Sequence, residues 1–185
     1  MNLEMQRDLA RRTLAYLDAK STAMAPHTME EPLEGYTSPE QFERERREVF
    51  NRLPMFVGLT CDLPEPGSWT TFDATGTPML LTRGADGRVR AFLNMCQHRG
   101  VRVVEPGSGR GARRFTCPFH AWAYDIDGTL VGIPGAEGFS DMDRATRGLI
   151  ELPAEERYGL IFVAAHPDAA FSLEEWLCGL GDQFA

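Results

Sequence analysis

Two short stretches of this 185-residue sequence each set a thiol beside an imidazole: Cys96-Gln97-His98 and, 18 residues further on, Cys117-Pro118-Phe119-His120. With four Cys and four His in the chain, a pair at one fixed offset is expected about 0.09 times by chance. Both pairs together are expected on the order of once in a hundred such chains, so the constellation is specific. Two metals fit such donors. Zinc accepts two Cys and two His tetrahedrally, but structural zinc sites usually open on two cysteines a few residues apart, which Cys-x-His does not supply. A [2Fe-2S] centre takes the same donors in pairs, two Cys on one iron and two His on the other. The remaining thiols, Cys61 and Cys178, stand alone in apolar surroundings and read as small buried hydrophobes.

The elements that must hold these loops change character along the chain. Residues 3–19 carry Leu3, Leu9, Leu14 and Leu17 among Glu, Arg and Asp, a loose helical pattern expected to pack one stripe on the body of the protein. The stretch 21–37 is aperiodic. A second helix is better marked, with Ser38 as N-cap, Pro39 at the first helical position and Gln41 completing a capping box, and it should stop ahead of Pro54. From residue 55 onward the pattern turns to short β runs at 56–60, 69–73, 78–82, 89–94, 122–126, 129–131, 150–152 and 160–164. Ala85-Asp86-Gly87 and Asp127-Gly128 read as hairpin turns within that series, and Ser172 as the cap of a last short helix. The chain is therefore expected to be mainly β.

Composition narrows the function. Apolar residues make up 43% and charged residues 25%, an ordinary globular balance. A net charge of -8 argues against nucleic-acid binding, which needs a surplus of Lys and Arg. No run resembles a signal peptide's apolar segment or is long enough to span a bilayer, so the expectation is a soluble, cytoplasmic protein with no membrane partner. Between Cys96 and His120, however, Arg99, Arg102, Arg110, Arg113 and Arg114 face only Glu105. A basic collar at a redox centre would steer an acidic donor, and solvated or internally paired arginines are the plain alternative.

The flanks of the ligand pairs carry a family resemblance. Asn94-Met95-Cys96-Gln97-His98-Arg99-Gly100 and Cys117-Pro118-Phe119-His120-Ala121-Trp122-Ala123-Tyr124, with Asp127-Gly128-Thr129-Leu130 behind them, resemble the Rieske domain at the N-terminus of ring-hydroxylating (aromatic) oxygenase α subunits. The similarity runs from the helix at Pro39 through Phe56-Val57-Gly58 and Pro66-Gly67-Ser68-Trp69 to Gly159-Leu160-Ile161-Phe162-Val163, and is weakest before Gly35. Ala121 departs from it, standing where the family usually has Gly. The resemblance implies a Rieske-type antiparallel β-sandwich with two cluster-binding loops, N-terminal helices and a short C-terminal helix. It places an N-terminal helix and linker at 1–37, the Rieske domain at 38–185 and no catalytic oxygenase domain in the chain.

The implied cofactor is a Rieske-type [2Fe-2S] cluster on Cys96, His98, Cys117 and His120. The implied role is to pass single electrons from a ferredoxin or reductase toward a mononuclear Fe(II) in the oxygenase catalytic domain of a neighbouring subunit. Charge reaches part of this independently. Two ferric ions, two sulfides and two thiolates sum to a neutral core, so an added electron is accepted more readily than on a four-thiolate cluster, and the potential rises from about -400 mV to about -150 mV or higher. High-potential Rieske centres add hydrogen bonds to sulfur and a loop disulfide. Here no second Cys pair is present and Phe119 and Ala121 bring no hydroxyl, so a potential near the low end is expected. Phe119 and Trp122 are expected to shield the cluster from water.

The mononuclear iron of these oxygenases sits on two His and one carboxylate. Only His27, in the aperiodic stretch, and His166, beside Pro167 and Asp168, remain to supply imidazoles, so no second iron site is expected in this chain. The alternatives are a zinc-stabilised interaction module and a free-standing Rieske ferredoxin. A cytochrome bc-type carrier is discounted, since Val101 and Phe119 stand at or near the places of its extra loop cysteines.

Overall fold

In the computed structural model, which describes residues 2–184, the chain beyond residue 54 forms strands β1 (Met55–Leu59), β2 (Trp69–Phe72), β3 (Met79–Arg83), β4 (Val89–Leu93), β5 (Ser108–Gly109), β6 (Arg114–Thr116), β7 (Ala123–Asp125), β8 (Leu130–Gly132), β9 (Glu151–Leu152), β10 (Ala154–Arg157) and β11 (Leu160–Val163). They assemble into antiparallel sheets of order β5-β2-β3-β4-β9, β1-β11-β10 and β6-β7-β8. Local chemistry makes the hairpins. At β3–β4 the Asp86 carboxylate accepts the Arg88 N–H at 3.0 Å. At β7–β8 the Asp125 carboxylate accepts from Asp127 and Thr129 at 3.0 and 2.9 Å. Gly128 in that second turn has φ +83 and lies so close to the Phe92 ring that a Cβ would sit 2.5 Å from it, so only glycine fits.

Alternation along the central sheet explains the layering. Side chains of a strand point to opposite faces in turn, and β3 is buried at every position because both its faces are covered. Leu80 and Phe92 face one core, shared with Val103, Phe115, Tyr124, Leu130 and both Cys96 and Cys117. Met79, Leu81 and Ala91 face the other, with Val57, Leu63, Ile161 and Val163. The second core is scaffold, and the first carries the thiols. Arg83 ties the layers: its guanidinium donates to Glu156 on β10 at 2.6 and 2.8 Å and to the Leu63 carbonyl at 2.7 Å. Arg83 in turn holds the Glu156 carboxyl below its usual range.

The eight β runs of the sequence are all strands, with ends shifted by a residue or so. Unsignalled are β5, a two-residue Ser-Gly bridge, β6, and β10, whose Ala-Glu-Glu-Arg reads as polar loop because it is an edge strand without a fully buried residue. Helices α1 (Leu3–Asp18), α2 (Glu34–Thr37) and α3 (Pro39–Glu45) precede the sheets, and α4 (Leu173–Trp176) and α5 (Gly181–Phe184) follow. Ser38 caps α3 by accepting the Gln41 N–H at 3.1 Å, but the Gln41 side chain turns to Glu45 at 2.6 Å, so half the capping box forms.

Three expectations are corrected. The α1 stripe does not pack on the body: none of its residues is buried, and Leu3, Leu9, Leu14 and Leu17 all face solvent. Cys61 and Cys178 are exposed rather than buried. Leu63 and Leu177, their close neighbours, take the interior positions instead. No described helix is long and apolar enough to cross a membrane.

Candidate functional site

Both candidate ligand loops are built on one backbone turn. In the first, the Cys96 N–H donates to the Val101 carbonyl at 2.8 Å and the Gly100 N–H returns to the Cys96 carbonyl at 2.9 Å. In the second, Cys117 donates to Trp122 at 2.8 Å and Ala121 to Cys117 at 3.0 Å. The turn demands a left-handed residue four places after each cysteine, Gly100 at φ +72 and Ala121 at φ +54. That is why Gly is the natural occupant and why Ala121 carries strain. The first loop leaves β4 and the second joins β6 to β7, so two different sheets deliver the two thiols into one core.

The four candidate ligands meet as two pairs. Cys96 and Cys117 are 2% and 3% exposed and lie in the same buried core. His98 and His120 lie nearer the surface with ring centroids 4.8 Å apart. Burial pushes the Cys96 thiol up, against a hydrogen bond from Tyr124 that pulls it down. An ionised sulfur is held in that core only when positive charge arrives with it, as a bound metal provides. Burial, His120 and Arg99 together push the His98 imidazole down, which favours the neutral, ligating form.

Tyr124 is a functional residue the sequence reading missed. Its hydroxyl accepts the Gln97 N–H at 3.0 Å, which leaves its one proton for the Cys96 sulfur at 3.3 Å. The buried phenol is correspondingly pushed above its ordinary pKa. The premise that this chain offers no hydroxyl to sulfur is therefore corrected: it comes from β7, not from the loops. Asn94 was missed as well. Buried at the end of β4, it accepts from the Val103 and Val104 N–H groups at 3.1 and 3.0 Å and donates to the Val104 carbonyl at 2.7 Å, pinning the far side of the first loop. The signal for both was their place in the motif, Asn two residues before the first Cys and Tyr seven after the second.

The expected shielding divides. Trp122 is buried and stacks on His98, centroids 4.9 Å apart and planes 7° from parallel. Phe119 lies against His120 but is 54% exposed, so it presents an apolar surface rather than covering one. Of the collar, Arg102 pairs with Asp73 at 2.5 Å, while Arg99, Arg110, Arg113 and Arg114 are exposed. His27 is exposed in the linker, and His166 is exposed with its Nδ1 accepting the Asp168 N–H at 3.2 Å.

Two thiols in one buried core and two imidazoles in ring contact nearer the surface suit a binuclear cluster, which takes its ligands in pairs. Among the described residues no three His, Cys, Asp or Glu close on one point as a single ion would require. The donor set thus fits the iron-sulfur group better than one tetrahedral zinc.

Comparison with known proteins agrees. The Rieske [2Fe-2S] domain family matches residues 54–147. The glycine betaine monooxygenase oxygenase subunit of Chromohalobacter salexigens is 33% identical over 86% of this chain and 35% of its own length. The 2-aminobenzenesulfonate 2,3-dioxygenase subunit alpha of Alcaligenes sp is 36% identical over 77% of this chain and 36% of its own. Among solved structures, the apo form of the quaternary ammonium Rieske monooxygenase CntA superposes with a TM-score of 0.77 at 30% identity, covering 83% of this chain and 44% of that one. The chain thus spans little more than a third of the length of these curated relatives.

Proposed function

From the premise that this chain belongs to the Rieske [2Fe-2S] domain family, we propose that it is the electron-transfer module of an oxygenase α subunit, with Cys96, His98, Cys117 and His120 as cluster ligands. The observation that carries the reading is the grouping of donors, both cysteines in one buried core and imidazole against imidazole toward the surface. When bound, the cluster supplies a one-electron couple of raised potential. The protein's own residues do the rest. Cys96 and Cys117 would hold one side of the group away from water, Tyr124 would donate a hydrogen bond to sulfur and so stabilise added negative charge, and Trp122 excludes solvent beside His98.

The imidazole side faces outward for exchange with partners. Exposed Arg99, Arg110, Arg113 and Arg114 favour an acidic donor, a ferredoxin or the domain of a reductase, and the acceptor is the mononuclear iron domain of an oxygenase, in a neighbouring subunit. We assign residues 1–37 to an arm and 38–185 to the cluster domain; that none of residues 2–37 is buried supports the division. The relatives oxidise both quaternary amines and an aromatic sulfonate by their names, so the substrate class stays outside this assignment.

The test is reduction of the coloured, cluster-loaded protein by a reduced acidic ferredoxin, followed by bleaching of visible absorbance. Transfer should slow steeply between about 0.05 and 0.5 M salt, over which the Debye length shrinks several-fold. A protein that stays oxidised in the presence of reduced ferredoxins and reductases alike would contradict the function.

A further inference from the structure

Three aromatic rings close a triangle at the first imidazole. Trp122 lies parallel to His98, and Phe139 stands edge-on to both, 6.0 Å and 88° from His98 and 5.6 Å and 83° from Trp122. One face of the His98 ring is thus covered by indole, and the phenyl ring meets it from a second direction. Among the described residues His120 has no such enclosure: its ring contacts are His98 and Phe119, and Phe119 is itself exposed.

Phe139 belongs to neither ligand loop. It ends a short helical turn, Ala136–Phe139, which begins after the left-handed Gly135 (φ +64). The Gly138 N–H closes that turn on the Gly135 carbonyl at 3.0 Å, and the Met142 N–H caps the Phe139 carbonyl at 3.1 Å. Buried Ile133 and Leu149 anchor the segment on either side, Leu149 also donating to the Gly128 carbonyl at 2.8 Å. The strap is therefore fixed to the same core that holds the thiols, and Phe139 reaches His98 from a held position.

An imidazole bound through one nitrogen can still turn about the metal–nitrogen bond, and neighbouring groups decide its plane. Resting on the cluster assignment above, we propose that Phe139 is a positioning residue: with Trp122 it fixes the plane of the His98 ring at the cluster and leaves His120 the less constrained of the two imidazoles. Edge-on contact to both His98 and Trp122 needs a ring at residue 139 and not merely apolar volume. Phe139→Tyr keeps that ring, and Phe139→Leu removes it while keeping the site apolar.

The experiment is pulsed electron paramagnetic resonance on the reduced, cluster-loaded protein, which reads the magnetic coupling of each coordinated imidazole nitrogen. The wild type should give two resolved couplings, one narrow from His98 and one broader from His120. Phe139→Leu should lose the narrow coupling to a broad distribution and leave the other unchanged, and Phe139→Tyr should restore the narrow one. If Phe139→Leu does not assemble the cluster, Phe139→Met carries the same test. Two unchanged couplings, equal change in both, or no recovery in Phe139→Tyr would overturn the positioning role while leaving the cluster assignment intact. A wild-type spectrum without coordinated nitrogen would overturn the cluster assignment and the positioning role with it.

Discussion

In the first ligand loop the residue four places after the cysteine is Gly100 with φ +72, and in the second it is Ala121 with φ +54; the hydrogen bonds that close the two turns agree within 0.1 Å or so. What surrounds the turns differs. The first loop is pinned from outside itself, by Asn94 on Val103 and Val104, by Tyr124 on Gln97 and Cys96, and by Trp122 against His98. The second has its cysteine in the core, but its tip, Pro118 through Ala121, lies in solvent. A shared backbone thus gives a held loop and an open one, suited on the proposed function to fixing the metal group and to meeting a partner.

The comparison breaks first at the sulfurs. Cys96→Ser and Cys117→Ser should each abolish visible colour and iron binding, because on the proposed ligand set each loop gives one thiolate to the same iron. Absorbance like the wild type's in either purified variant would remove that residue from the ligand set. Next comes the pinning of the first loop. Asn94→Ala leaves buried N–H groups of Val103 and Val104 without acceptors and should cost about 2–4 kcal/mol, read by denaturant unfolding of the loaded protein. A change below about 0.5 kcal/mol would mean the loop holds itself, as the second one does.

Tyr124→Phe sharpens the contrast electrically. Losing one hydrogen bond to sulfur, worth about 1–1.5 kcal/mol, should lower the one-electron potential by roughly 40–60 mV, measured by protein-film voltammetry. An unchanged potential would show that the hydroxyl serves Gln97 alone. The smallest effect belongs to the second loop. Ala121→Gly relieves a left-handed alanine and should raise stability by up to about 1 kcal/mol, with the potential unmoved. A loss of stability would place the methyl in a useful contact.

Much of this was legible in the sequence, and the limits have physical causes. The ligand pairs and strands announce themselves through local spacing and period-two alternation, and the family resemblance extended over the same residues. Tyr124 and Asn94 lie inside the quoted motifs, yet their roles depend on partners brought near by folding: Tyr124 bonds Gln97 across 27 residues. Phe139 has no local signal at all, since its partner His98 is reached only when the strap closes over the sheet. The misread α1 shows the converse. Its leucine stripe is real as a pattern, but amphipathicity states that a helix needs a surface, not that this part of the chain supplies one. Cys61 and Cys178 were misread because an apolar neighbourhood does not say which of its members takes the interior.

The central claim is that two thiolates and two imidazoles hold one binuclear cluster. Iron and acid-labile sulfide counts on the purified protein, taken with electron paramagnetic resonance of its reduced form, test it in one sample. The account predicts about two irons and two sulfides per chain and a reduced-state signal with nitrogen coupling from two imidazoles. A colourless protein holding a single zinc, with no sulfide and no such signal, would contradict it.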